Sequence, residues 1–392
     1  MAIRRGLVRA VLATALLVAA AGSGVARGPL DVPGRLSDQE FWRLTEVLSE
    51  ANGTFRSDNL VSNELVFARV LPELAKVPQP ASVYLGVGPE QNFTYIAALR
   101  PKLAVILDIR RGNLHLQLMY KALFELATDR AEFLSLLFTK PRPAGLGREA
   151  SARELMEAYW TTDTSPDPVY QKNLQTIKDV LTKKHGFALS PEDLKGIEYV
   201  YYSFYWFGPS ITWSSSSSGA PGARAHYKDL VLQTDISGQE LSYLASEDKF
   251  AFLKDLEARN LVVPVVGNFG GPKAIKATGA YLKGLGATVT AFYVSNVEQY
   301  LRQDGLLDTF LCSNVRDLPL DRTSVFIRPS SIGARIGIVS STVTLNGQVI
   351  RVTPPTATTS VPIGGSPISA MLVELTEGCK AGGGLRPAPV PQ

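Results

Sequence analysis

The ten residues Tyr84–Phe93, YLGVGPEQNF, decide how the rest of the chain is read. They close a short apolar run that starts at Ala81 and open a segment of helical character, PEQNFTYIAALRP. A second apolar, β-branched run follows, KLAVILDI. After it, NLHLQLMYKALFELATDRAEFLSLLF places apolar residues at Leu116, Met119, Ala122, Leu123 and Leu126, the helical period. Strand, helix, strand, helix in this order is a βαβα unit, and its crossovers imply a parallel sheet.

The same alternation returns further on. EDKFAFLKDLEARN predicts a helix and LVVPVVGNF a buried strand. GPKAIKATGAYLKGLG predicts a helix closed by Gly286, ATVTAFYVS a strand, NVEQYLRQDGLLDTFLC a helix and SVFIR a last strand. Between the two halves, residues 140–230 break the pattern. Helices are expected at 151–160 and 167–185, a cap pattern at 190–196, then the aromatic run IEYVYYSFYWFGPSITW and the tract SSSSSGAPGA. This region reads as an insertion or cap on the sheet. Upstream, Ser37 and Glu40 form a capping pattern before an amphipathic helix, and a polar loop leads to a further helix over 65–74. Beyond 330, Asn346-Gly347 between alternating residues signals a hairpin, and a helix is expected at 366–378. The expected organisation is an α/β domain over 37–330 and a C-terminal extension over 331–392.

The chain has 392 residues, 45% hydrophobic and 19% charged, enough for a large core. A net charge of +4 without a Lys/Arg block gives no electrostatic footprint for nucleic acid. The N-terminus is a basic stretch, MAIRRGLVRA, followed by the small-residue apolar run VLATALLVAAAGSGVA. This predicts a signal peptide over 1–26 and export to the periplasm or beyond, with no membrane span in the mature chain. Arg4-Arg5 leaves the route open between general secretion and twin-arginine transport, and the latter carries folded proteins with cofactor bound. Cys312 and Cys379 are open between a bridge and two separate thiols. Three scattered histidines and no paired-cysteine motif predict no metal centre.

Five constellations are candidates for chemistry. In open parallel sheets ligands lie at the carboxyl ends of strands. Gly86 and Gly88 would let a ligand approach the backbone, and Pro89, Glu90, Gln91 and Asn92 would present a helix N-terminus. Asp108, twenty residues after Gly88, ends the next strand beside Ile109, where a carboxylate can accept both hydroxyls of a ribose. The nicotinamide-type pattern has a third glycine where this chain has Gln91. In FRSDNLVSNE, Asp58 and Glu64 are candidates for an acid/base pair and Asn59 and Asn63 for substrate contacts, with helix capping the alternative. Asn268 and Phe269 end another strand, and Asn296 and Glu298 follow the next, where Ser295 with Glu298 also matches a capping box. Tyr205, in the aromatic run, and Asp235, in a loop, are the remaining candidates. A carboxylate hydrolase using Asp58, Glu64 or Asp235 is one alternative function. No Gly-x-Ser-x-Gly elbow supports a serine hydrolase.

Taken together, RSDNLVSNE, YLGVGPEQNFTYIAALRP, ILDIRRGNLHLQLMYKALFEL, VVGNFGGPKA and FYVSNVEQYL resemble an uncharacterised bacterial family of exported proteins. Its core resembles class I S-adenosylmethionine-dependent methyltransferases. The resemblance implies a Rossmann-like sheet, a cofactor loop at Gly86 and Gly88, Asp108 at the ribose, and Asn268 and Phe269 near the acceptor and methyl donor. It also implies S-adenosylmethionine or a related adenosine ligand. The acid those enzymes carry two residues before the first glycine is Tyr84 here, and their third glycine is Glu90. A non-catalytic ligand-binding protein on the same fold is therefore the second alternative.

Overall fold

The computed structural model describes residues 31–213, 224–328 and 368–380, together with two short strands at 342–345 and 348–351. The expected signal peptide and the SSSSSGAPGA tract lie outside these residues. Five parallel strands carry the fold: β1 (Val83–Val87), β2 (Leu103–Asp108), β3 (Val262–Val266), β4 (Val289–Tyr293) and β5 (Val325–Ile327). β6 (Thr342–Leu345) and β7 (Gln348–Arg351) pair antiparallel with Leu345 opposite Gln348, the register that the Asn346-Gly347 signal predicts. β8 (Ile368–Ala370) joins the main sheet antiparallel to β5. The order is β3-β2-β1-β4-β5-β8. The protein is thus α/β with a Rossmann-like, mostly parallel sheet. Its chain reverses direction of travel across the sheet between β1 and β4, the switch point of this architecture.

β1 to β4 are buried at every residue, which explains why their sequences are continuous apolar runs and not alternations. Helices Gln91–Leu99, Arg111–Leu126 and Glu247–Ala258 pack on one another in one layer, and Asp38–Leu48 and Ala274–Gly284 pack together in another. The long helical stretch after β2 is two helices. Asp129 caps Arg130–Phe138 by accepting from the Glu132 N–H, so the periodicity continues across a break. The 65–74 helix is a 3₁₀ turn over Phe67–Val70 and one α turn over Leu71–Leu74. The expected helix at 366–378 starts only at Met371; its first residues are β8, because the edge of β5 supplies hydrogen-bond partners there.

The insertion lies between β2 and β3 and is helical. Its aromatic run is the end of one helix, Pro191–Phe207, capped by Ser190. That helix seats on Arg111–Leu126 through Gly196, where a side chain would come within 2.1 Å of His115 Nδ1. Asp193 accepts from Arg111 Nε at 2.6 Å and bonds His115 Nε2 at 2.8 Å. Burial alone would raise the Asp193 pKa, but these two partners hold it well below the usual carboxylate range. A second buried cluster ties in the N-terminal helix: His185 bridges Asp38 at 2.6 Å and Glu125 at 2.9 Å. Against the cost of burial, His185 and Lys121 hold the Glu125 carboxyl down at about 2. Cys312 and Cys379 form a disulfide with Cα atoms 5.5 Å apart, resolving the open choice in favour of the bridge. Among the described residues no helix is long and apolar enough to cross a membrane.

Candidate functional site

A cleft of about 950 Å³ opens at the carboxyl ends of the strands, where the sheet order switches. That is the upper part of the range for small-molecule sites. Its floor is the end of β1 (Val87, Gly88, Pro89), the end of β2 (Asp108, Ile109, Arg110), Asn268 and Phe269 after β3, and Tyr293, Ser295 and Asn296 after β4. One wall is the loop 54–63; the other is helix Val297–Gln303 with Tyr300, and Trp213 from the insertion also lines it. The 54–63 wall is held over the strand ends by backbone bonds at its base. Glu50 N–H donates to Val266 O at 2.7 Å and Gly53 N–H to Ile109 O at 2.8 Å.

The two glycines of the opening stretch do different things. Gly88 has φ +80°, and a side chain there would meet open space. It is the residue over which a ligand can approach the backbone. Gly86 lies inside β1, and a Cβ there would fall 1.9 Å from Asn92 Oδ1. Asn92 organises the turn. Its Nδ2 donates to Val87 O at 2.9 Å and Pro89 O at 2.7 Å, while Oδ1 accepts from Tyr84 O–H at 2.8 Å. Gln91 turns the other way, donating to Glu64 at 3.2 Å and Tyr95 at 3.0 Å and accepting from Ser62 Oγ. Asn92, Gln91 and Glu90 are therefore buried beneath the loop, outside the cleft lining.

Glu90 stands at the start of helix Gln91–Leu99, and its Oε1 accepts the Ser62 N–H at 3.2 Å. Its Oε2 has no hydrogen-bond partner among the described residues. Burial pushes its pKa up to about 8, and Glu257, in the last turn of helix Glu247–Ala258, is pushed up to about 8 for the same reason. A folded-state pKa above the unfolded value means that the folded chain binds the extra proton, so stability falls as pH rises from about 5 to 8. The expected slope is about 1.4 kcal/mol per pH unit for each such group. Urea denaturation at several pH values should show Glu90→Gln removing one group's share of that slope. An unchanged slope would mean that Glu90 is solvated and ionised.

Asp108 and Arg110 form a buried pair at the end of β2. The Arg110 N–H and Nε donate to Oδ1 at 2.9 and 3.0 Å, and its second guanidinium nitrogen to Oδ2 at 2.8 Å. Arg110 also donates to the Ser57 and Asp58 carbonyls, tying the wall loop to the floor. A carboxylate offers about four lone-pair positions, so Asp108 keeps room for one ligand hydroxyl and not for a ribose pair while Arg110 stays in place.

The candidate carboxylates of the wall loop do not face each other. The Asp58 side chain accepts from Tyr199 O–H at 2.9 Å. Glu64 accepts from Tyr293 O–H at 2.7 Å and Ser295 Oγ at 2.5 Å, and burial raises its pKa in spite of those bonds. Neither caps the following helix, and Asn63 lines the cleft instead of capping. Asn59, at φ +47°, accepts from Ser57 Oγ and also lines it. Asp235 closes a turn by accepting from the Ser237 and Gln239 N–H groups. Tyr205 stacks on Tyr170 at 4.6 Å within the insertion, and Glu298 pairs with Arg328; neither lines the cleft. Ser295 has φ +46° and does not cap the next helix, so the capping box expected with Glu298 is absent.

Several contributors carried no signal in the sequence. Arg110 follows Asp108 by two residues, but nothing in that spacing shows that its guanidinium folds back onto the carboxylate. Arg56 lies over the Tyr300 ring at 5.0 Å, and Phe55 meets the same ring edge-on. Glu50 accepts from the Lys273 and Ala274 N–H groups at 2.8 and 2.7 Å, closing the N-terminus of helix Ala274–Gly284. No group of His, Cys, Asp and Glu suited to a metal ion occurs among the described residues. Residues 60–353 match the family model described as a domain of unknown function (DUF7790), and no curated protein matches the chain.

Proposed function

We propose, from the premise that the chain belongs to the DUF7790 family, that it binds an S-adenosylmethionine-type ligand in the switch-point cleft and transfers its methyl group to an acceptor held there. The observation that carries this reading is Gly88, whose left-handed backbone presents an open surface on the floor of the cleft. The choice among nucleotide-like ligands rests on charge. The helix start after β3, where a cofactor's phosphates could sit, is taken by the Glu50 carboxyl group, which accepts from the Lys273 and Ala274 N–H groups. An adenosine ligand without phosphates avoids that carboxyl group. Methyl transfer from a sulfonium requires in-line placement more than dedicated acid/base groups. Asn63, Asn268 and Asn296 line the cleft and can orient an acceptor. Export of such a protein with its ligand is compatible with folding before transport.

The test is calorimetry on residues 27–392 with S-adenosylmethionine and S-adenosylhomocysteine, with mass spectrometry of ligand released from native protein. Binding is expected, and Gly88→Val should weaken it at least about tenfold by filling the approach. No heat, no released ligand and no effect of the variant would remove the proposal. The Arg110 hold on Asp108 favours a second reading, binding without transfer. Production of S-adenosylhomocysteine in the presence of candidate acceptors separates the two.

A further inference from the structure

We infer that the Cys312–Cys379 disulfide is a redox latch on the cleft, opened by a dithiol that attacks Cys379 and read out in the position of the 297–303 wall. The disulfide joins the C-terminal helix Met371–Gly378 to the segment Phe310–Val315. Two independent contacts run from these elements to the cleft. Asn314, two residues from Cys312, donates to the Phe269 and Gly271 carbonyls at 2.7 and 2.8 Å, holding the turn after β3. Arg328, just past β5, pairs with two carboxylates at once. It donates to Glu298 at 2.7 and 2.8 Å and to Glu374 of the C-terminal helix at 2.8 Å. Glu298 belongs to the helix whose Val297, Gln299 and Tyr300 line the cleft. The tail helix and the cleft wall thus share one half-buried cation.

Both cysteines are buried, and Cys379 is the one that borders a surface groove, so attack there begins from that side. A groove of about 440 Å³ beside the tail helix is lined by Cys379, four leucines, Arg316 and Lys380. Two cations at an apolar groove favour an incoming thiolate and stabilise a departing one. The thiolate of the dithiol attacks Cys379 Sγ, the Sγ–Sγ bond breaks and Cys312 leaves as thiolate. The reagent's second thiol then displaces Cys379 and closes a cyclic disulfide. Two electrons pass from dithiol to protein, and the two protons released by the reagent end on the cysteines. Without the cross-link, β8 is held by three residue pairs to β5 and by Arg328 on Ser369 Oγ, and the tail helix by the Met371 N–H on Ser324 O, by Glu374, by Arg316 on Lys380 O and by apolar contacts, so the segment can open locally.

The latch does not depend on what the cleft binds, so its primary readout needs no ligand. Hydrogen exchange at 297–303 is measured on mature protein, oxidised and after dithiothreitol, with thiol titration to confirm reduction. Reduction should speed exchange there at least about tenfold, while β1 and β2 remain unchanged. Cys312→Ser/Cys379→Ser should reproduce the reduced pattern. Glu374→Gln, with the disulfide intact, should reproduce part of it by weakening the shared ion pair. Failure of dithiothreitol to reduce the native protein, or unchanged exchange at 297–303 after reduction, overturns the proposal. A titration with S-adenosylhomocysteine in both redox states adds the consequence for binding. Absence of binding in both would count against the proposed ligand and leave the exchange result standing.

Discussion

Asp108→Ala is expected to destabilise the protein by about 3–5 kcal/mol whether or not a ligand is present. The substitution leaves the Arg110 guanidinium buried among the Ser57 and Asp58 carbonyls with its carboxylate gone. Breaking a buried pair costs more than the pair contributes, because one charge stays uncompensated. Asp108→Asn should fall between wild type and alanine, since a carboxamide oxygen still accepts from Arg110. The double change Asp108→Leu with Arg110→Met should recover most of the loss by removing both charges. Chemical denaturation of the four proteins checks this. A loss of under about 1 kcal/mol for Asp108→Ala would show that water reaches Arg110 and that the pair behaves as a surface ion pair. The consequence for function is direct: a fall in ligand affinity for Asp108→Ala is evidence about the ligand only after this structural loss is accounted for.

Gly86→Ala is expected to cost about 2–5 kcal/mol, from overpacking and from disrupted buried hydrogen bonds. The new methyl would sit 1.9 Å from Asn92 Oδ1 and 2.8 Å from the Tyr84 hydroxyl. Both are buried, so the clash is relieved only by moving the Asn92 amide off the carbonyls of Val87 and Pro89. Gly88→Ala provides the contrast. Its methyl meets nothing, and its cost is the left-handed backbone alone, about 1–2 kcal/mol. Thermal denaturation of the two variants should rank Gly86→Ala well below Gly88→Ala. The reverse order would mean that Gly86, and not Gly88, is the open position of the loop.

The departures of this loop from known cofactor patterns have a common structural cause. Tyr84 stands where an acid would and gives its hydroxyl to Asn92. Gln91 stands where a third glycine would and fastens the 62–64 wall loop to the helix. Glu90 meets the backbone of that same wall. Each residue that breaks a pattern holds another part of the cleft in place.

By itself the sequence determined the sheet, its parallel sense and the end at which a ligand would lie. Those follow from local periodicity, from apolar runs too continuous for a half-exposed strand, and from crossovers too long for hairpins. It also brought Gly88, Asp108, Asn268, Phe269 and Asn296 to one edge, because each directly follows or ends a strand and so must emerge there. Tertiary structure alone decided which side chains face the cleft. Glu64 turns to Tyr293 and Ser295, 229 and 231 residues away in sequence, and Glu298 to Arg328 and the tail. Asp108 is already engaged by Arg110. A polar residue at a strand end satisfies whichever partner folding brings within reach, and burial makes that choice costly to leave unmade. Local sequence places the backbone of such a residue; only the assembled neighbours set the direction of its side chain.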